Sequence, residues 1–214
     1  MAGCCTGRGC DEFFDRRFAQ RLARRYRRRG LDRTARRIVG FLEERGVEGA
    51  TVLEIGGGIG DIQIELLERG AARSTNLELS PAYDDEAQAL LREAGLEGRA
   101  DRVIHDIASD PGGVEPGDVV VLNRVVCCYP DYELLLAAAA EHARRLLVFS
   151  YPPRNVLSRL VVTVQNLLSA ARRREFRVYT HPPAAMLAVL ERHGLRPAYA
   201  HRSGVWRIAG LERA

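Results

Sequence analysis

Thr51-Val52-Leu53-Glu54-Ile55-Gly56-Gly57-Gly58-Ile59-Gly60-Asp61 decides how this chain is read. Its first five residues form a β-rich run, the next five are mostly glycine, and Asp61 to Arg69 reads as a helix stopped by Gly70. Glycines between a strand and a helix let the backbone turn tightly and approach a ligand with no Cβ in the way. The first turn of the following helix offers unpaired N–H groups that favour a negative group, here a carboxylate. A dinucleotide loop requires G-x-G-x-x-G, and this loop fails that test. The sixth position from Gly56 is Asp61, and from Gly58 it is Gln63. What stands instead is an acid followed by G-x-G-x-G, namely Glu54, Gly56, Gly58 and Gly60, with Gly57 between them.

Outward from the loop, strands and helices alternate. Ser74 to Leu79 is a second strand; Ser80-Pro81 caps a helix running to Gly95; Arg102 to Ile107 is a third strand. Asp118-Val119-Val120-Val121-Leu122 is apolar enough for a central parallel strand buried on both faces. A helix from Leu134 to Arg144, a strand from Leu146 to Phe149, and a helix from Pro183 to His193 follow. Strands near Leu195–Ala200 and Val205–Ala209 are close enough in sequence to form an antiparallel hairpin at one sheet edge. Ahead of the loop, Phe14, Phe18, Leu22 and Tyr26 recur every fourth residue, the stripe of an amphipathic helix. Gly30 breaks it. Asp32 then caps a second helix carrying Ala35, Ile38, Val39 and Leu42, closed by Gly46.

The chain has 214 residues, 46% of them hydrophobic and 28% charged, which suits one sizeable core and little disorder. No apolar run approaches the roughly 18–20 residues that cross a membrane, and no basic stretch followed by an apolar one marks a secretory signal, so a cytoplasmic protein is expected. All 32 basic residues are arginine, which we read as coding bias, and the net charge is +4. Thirteen arginines precede Val47, a density that grips nucleic acid or forms a solvated helix face. Five cysteines occur, Cys4, Cys5, Cys10, Cys127 and Cys128; an odd count without a signal peptide argues against a disulfide framework, and thiols or a metal site remain.

The ordered set of motifs resembles the class I S-adenosylmethionine (SAM) dependent methyltransferases. In that family the first motif has the form seen at Glu54–Gly60. An acid ending the second strand, here Glu78 beside Leu79, takes the ribose hydroxyls. An acid after the third strand, here Asp106 beside Ile107, contacts the adenine amino group, and the end of the fourth strand, here Asn123, borders the methyl group. The resemblance spans about Val47 to Arg213. It implies a Rossmann-like α/β fold: a seven-stranded, mostly parallel sheet with an antiparallel C-terminal strand and helices on both faces. Residues 1–46 would then be a helical extension or lid, and 47–214 the SAM-binding domain. The tail, Tyr179-Thr180-His181-Pro182-Pro183, then Gly194-Leu195 and Val205-Trp206-Arg207-Ile208, is loosely similar to the magnesium-protoporphyrin O-methyltransferase group.

Methyl transfer needs alignment more than a dedicated catalytic residue. An oxygen or nitrogen nucleophile can still use a base, for which His181 is the candidate by chemistry, with Tyr129 as a substrate-orienting group. The expected acceptor is a small molecule, a carboxylate or hydroxyl on a bulky, partly apolar compound. Three other readings stand beside it. Cys127 and Cys128, joined by thiols of the extension, would serve a metalloid acceptor. The arginine-rich helix would serve a nucleic acid, although Asn123-Arg124-Val125-Val126 is not the Asn/Asp-Pro-Pro-Tyr/Phe motif of amino-methylating DNA enzymes. A partner protein that keeps the fold without the chemistry is the third.

Overall fold

A computed structural model describes residues 13–214. Seven strands form one sheet: β1 (Thr51–Ile55), β2 (Arg73–Glu78), β3 (Ala100–Ile104), β4 (Gly117–Leu122), β5 (Ala143–Tyr151), β6 (Leu195–Ser203) and β7 (Trp206–Arg213). Their order across the sheet is β3-β2-β1-β4-β5-β7-β6. The first five run parallel, and β7 is antiparallel to both β5 and β6. The expected fold is borne out, down to the antiparallel strand near the C-terminus.

The apolar runs explain why both faces are covered. In β4, Val119 and Val121 point to one side, and Val120 and Leu122 to the other; all four are fully buried. The first side meets α1 (Arg16–Arg29), α2 (Arg33–Glu44), α3 (Asp61–Glu68) and α4 (Asp84–Ala94) through residues such as Ala23, Ile38, Leu42, Ile62, Leu66 and Leu90. The second meets α5 (Tyr132–Glu141) and α7 (Pro183–Arg192) through Leu135, Leu136, Met186 and Leu190. One further helix, α6 (Val156–Ala171), stands apart from both layers.

Asp15 caps α1, accepting from the Phe18 N–H at 2.7 Å, and Asp32 caps α2, accepting from Thr34 and Ala35 at 2.8 and 3.0 Å. Several boundaries differ from the sequence reading. Among the described residues the helix that carries the stripe runs Arg16–Arg29 with Asp15 as its cap, so Phe14 precedes it; Cys10, where the sequence reading starts it, lies outside the described residues. Pro81 opens a single 3-10 turn, Pro81–Tyr83, before α4 begins. The third strand ends at Ile104, which leaves His105, Asp106 and Ile107 in the loop beyond it. Ala143 and Arg144, expected in a helix, open β5 because Ala143 pairs with Gly117. No helix had been expected at α6.

The chain moves from β1 outward to β2 and β3, then returns to place β4 on the other side of β1. At this reversal the loops after β1 and β4 part and open a crevice at the carboxyl ends of the strands, where open parallel sheets bind ligands.

Candidate active site

Gly56, Gly58 and Gly60 all adopt left-handed φ values, 65°, 56° and 75°. A side chain at any of them would be strained, which explains the alternating G-x-G-x-G spacing. Gly57 is restricted by space instead. A Cβ there would lie 2.6 Å from the Asn76 amide nitrogen and 2.7 Å from the Glu54 carboxyl carbon, both beneath the loop.

The crevice holds a cavity of about 230 Å³. Gly56, Gly57 and Gly58 form part of its wall, as do Glu78, Leu79, Asp106, Ile107, Asn123 and Tyr129. Glu54 and Gly60 do not line it. The Glu54 carboxylate is buried below the loop and accepts from the Gln63 N–H at 3.2 Å. Burial, then the charge of Asp61, pushes its pKa well above the usual carboxylate range.

The other acids are held by hydrogen bonds. One Glu78 oxygen accepts from the Gly58 N–H at 2.8 Å, the other from the N–H groups of Leu79 and Ser80 at 2.8 and 3.2 Å. Both Asp106 oxygens accept from the Tyr129 hydroxyl, at 3.2 and 3.0 Å. The Asn123 side-chain oxygen accepts from the Ser150 hydroxyl at 2.8 Å, and that hydroxyl accepts from the Arg124 N–H at 2.8 Å, tying the ends of β4 and β5 together.

His181 is absent from the cavity wall. Its Nε2 lies 3.0 Å from the Tyr129 carbonyl oxygen, and its ring packs against Tyr132 and Tyr179. Burial lowers its pKa. It therefore meets Tyr129 from behind rather than reaching the space where an acceptor would sit.

Cys128 borders the cavity, and buried Cys127 lies beside it with sulfurs 3.7 Å apart. Cys4, Cys5 and Cys10 lie outside the described residues. Among the described residues no group of three or more histidine, cysteine or acidic side chains is arranged to hold a metal.

Phe14, Phe18, Leu22 and Tyr26 cover the opposite side of the cavity, and Phe14 is pinned by its carbonyl, which accepts from the Ser80 hydroxyl at 3.2 Å. The sequence reading missed a charged cluster at this end. Arg25 and Arg124 pair with Asp32 at 3.3 and 2.6 Å, and Asp61 sits beside them. Arg124 is one of two described non-glycine residues with positive φ, at 64°, and its guanidinium lies over the Trp206 ring at 5.1 Å. Strain of that kind is tolerated where surrounding contacts fix the residue, and it gathers at functional sites.

Burial, then the charge of Asp32, pushes the Asp61 carboxyl from 3.8 up to about 6. A carboxyl with a raised folded pKa costs nothing when protonated in both states. The cost grows as pH rises from about 4 to about 6, while the unfolded chain ionises first, and persists above that. Asp61→Asn is therefore expected to raise the melting temperature at about pH 7.5 and to change it little at about pH 4, with a gain of at most about 3 kcal/mol. Thermal melts at the two pH values check this; an equal effect at both would show that ionisation is not the cause.

A profile of the family described as "Methyltransferase domain" matches residues 23–202. The chain belongs to this family. The class I methyltransferase resemblance read from the motifs is thus borne out. Among solved structures, the magnesium protoporphyrin IX methyltransferase of Synechocystis with bound SAH is 21% identical, with a TM-score of 0.71 over 85% of this chain and 82% of that one. A TehB-like SAM-dependent methyltransferase from Corynebacterium glutamicum is 18% identical, with a TM-score of 0.65 over 92% and 97%. An O-methyltransferase family protein from Burkholderia thailandensis is 20% identical, with a TM-score of 0.67 over 85% and 57%. At these identities the likeness is one of fold. No curated protein matches the chain.

Proposed function

We propose that this methyltransferase, which uses S-adenosylmethionine as its cofactor, methylates an oxygen of a bulky, partly apolar small molecule, a carboxylate or a hydroxyl. One observation carries the acceptor reading: a single cavity joins the glycine loop and its acids to a wall of Phe14, Phe18 and Leu22. The fit of the cofactor rests on the side-chain-free cradle at Gly56–Gly58 and on two carboxylates already held in place. Gly56, Gly57 and Gly58 would take the amino-acid end, Glu78 the ribose hydroxyls and Asp106 the adenine amino group, with Leu79 and Ile107 beside them and Asn123 next to the methyl. Glu54 and Gly60 would shape the loop from below and behind.

Bound there, S-adenosylmethionine supplies a methyl group already activated by its sulfonium. The chain's work is to hold the acceptor oxygen in line and to keep water out. We assign the water-excluding wall to the helical extension, residues 1–46, and the cofactor-binding work to residues 47–214. Tyr129 would orient through its hydroxyl, and His181 would act as a positioning residue behind it. A carboxylate acceptor needs no base. For a hydroxyl acceptor, Asp61 lines the cavity and titrates in a useful range.

The arginines of α1 support the small-molecule reading over a nucleic acid. Arg16 pairs with Asp85, and Arg27 with Glu86 and Glu93 at 3.2 and 2.8 Å, so part of the basic face is spent on α4.

Calorimetric titration with S-adenosylmethionine, followed by a screen for S-adenosylhomocysteine release, tests the proposal. Micromolar binding and turnover with apolar carboxylates or phenols is the expected result. Turnover with tRNA and with no small molecule would overturn the acceptor reading; absence of cofactor binding would overturn the whole.

A further inference from the structure

Helix α6 is built inside out. At 100° per residue, Val156, Leu160, Val164 and Leu167 form one row, and Leu157, Val161 and Leu168 the next; together they span about 140° of the helix. All seven are 47–84% exposed. The face turned to the protein carries Ser158, Gln165, Asn166 and Ser169, with Val162 as its one large apolar residue. That polar face is anchored: the Asn166 side chain donates to the Val178 carbonyl at 2.8 Å and accepts from the Val178 N–H at 2.9 Å. A helix held by its polar side presents its apolar stripe for something other than the core.

Charge indicates what that is. From Tyr151 to Arg174 there is no acidic residue, while Arg154, Arg159, Arg172, Arg173 and Arg174 stand along and beyond the helix. Among the described residues, none of these five arginines is in an ion pair. A second copy of the chain is a poor cover, because pairing α6 with itself in either direction sets arginine against arginine, with Glu175 the one acid nearby. At 16 residues α6 is about 24 Å long if straight, and none of the described helices is long and apolar enough to cross a membrane. An apolar stripe with basic flanks and no acid is the pattern of a helix lying in a bilayer interface.

We propose that α6 docks the enzyme on anionic lipid bilayers, its valines and leucines among the acyl chains and its arginines on the headgroup phosphates. The segment that anchors α6 reaches the cavity wall. Two residues before Val178, buried Phe176 packs on Phe13 and Phe14 with ring centroids 4.6 and 5.2 Å apart, and Phe14 lines the cavity wall. The proposal goes beyond the acceptor reading and does not depend on it.

Co-sedimentation with phosphatidylcholine vesicles, with and without phosphatidylglycerol, tests it. Binding is expected only with phosphatidylglycerol, weakening as salt is raised, and falling about tenfold or more in L160Q/L167Q. Both leucines are exposed, so the variant should keep its melting temperature and its affinity for S-adenosylmethionine, which separates loss of docking from loss of the cofactor site. R172Q/R173Q should lose binding through charge alone. Three results would overturn the proposal: no binding to phosphatidylglycerol vesicles, binding unaffected by L160Q/L167Q, or a dimer in solution that L160Q/L167Q converts to monomer.

Discussion

Titration of Glu78→Gln with S-adenosylmethionine is expected to return an affinity about a hundredfold weaker than that of the unsubstituted protein. The substitution is nearly isosteric, but each Glu78 oxygen already accepts from a backbone N–H, Gly58 on one side and Leu79 with Ser80 on the other. Whichever way the glutamine amide is turned, its NH2 faces at least one N–H. A buried donor then lacks its acceptor, at about 1–3 kcal/mol, and the charge-assisted bonds proposed to the ribose hydroxyls would become neutral ones. In one orientation the loop loses its tie to β2, and in either the proposed cofactor site loses its negative charge. Calorimetry measures the change. A loss of less than about threefold would mean that the amides re-partner freely and that the negative charge does not matter.

Gly57→Ala is expected to cost about 1–3 kcal/mol of stability in urea unfolding and to remove detectable cofactor binding. The strain is one of space, because Gly57 does not have positive φ. Asn76 and Glu54, which the new methyl would strike, are 0% and 1% exposed and have nowhere to go. The same substitution at Gly40, midway along α2 with nothing within 4 Å of a new Cβ, serves as the control. It should stabilise by about 0.5–1 kcal/mol, since alanine is the better helix former. If both variants lost stability alike, crowding under the loop would not be the explanation.

These two sites were legible in the sequence because the features that mark them are local. A strand, a glycine turn and a helix cap lie within eleven residues, and Glu78 ends the next strand. The charged end of the cavity was not legible. Arg25, Asp32, Asp61 and Arg124 are scattered over a hundred residues, and two of them already have a local role: Asp32 caps α2 and Asp61 opens α3. Nothing short-range distinguishes a cap that also holds an ion pair, and the left-handed turn at Arg124 occurs at a residue type that seldom adopts it. Helix α6 is a different case. Its apolar stripe stood in the sequence at helical spacing and was not read; that the stripe faces away from the core could come only from the structure.

The sheet order carries a consequence for synthesis. β7 lies between β5 and β6, so β6 has no partner in the sheet until β7, later in the chain, is inserted. A nascent chain emerging in order therefore carries the edge of β5, with Leu146 to Tyr151 unpaired on that side, until the residues beyond Trp206 are made. During that interval the half-built sheet is a template for strands of neighbouring chains. Chaperone demand for this protein should thus arise on the ribosome, before the final strand closes the sheet.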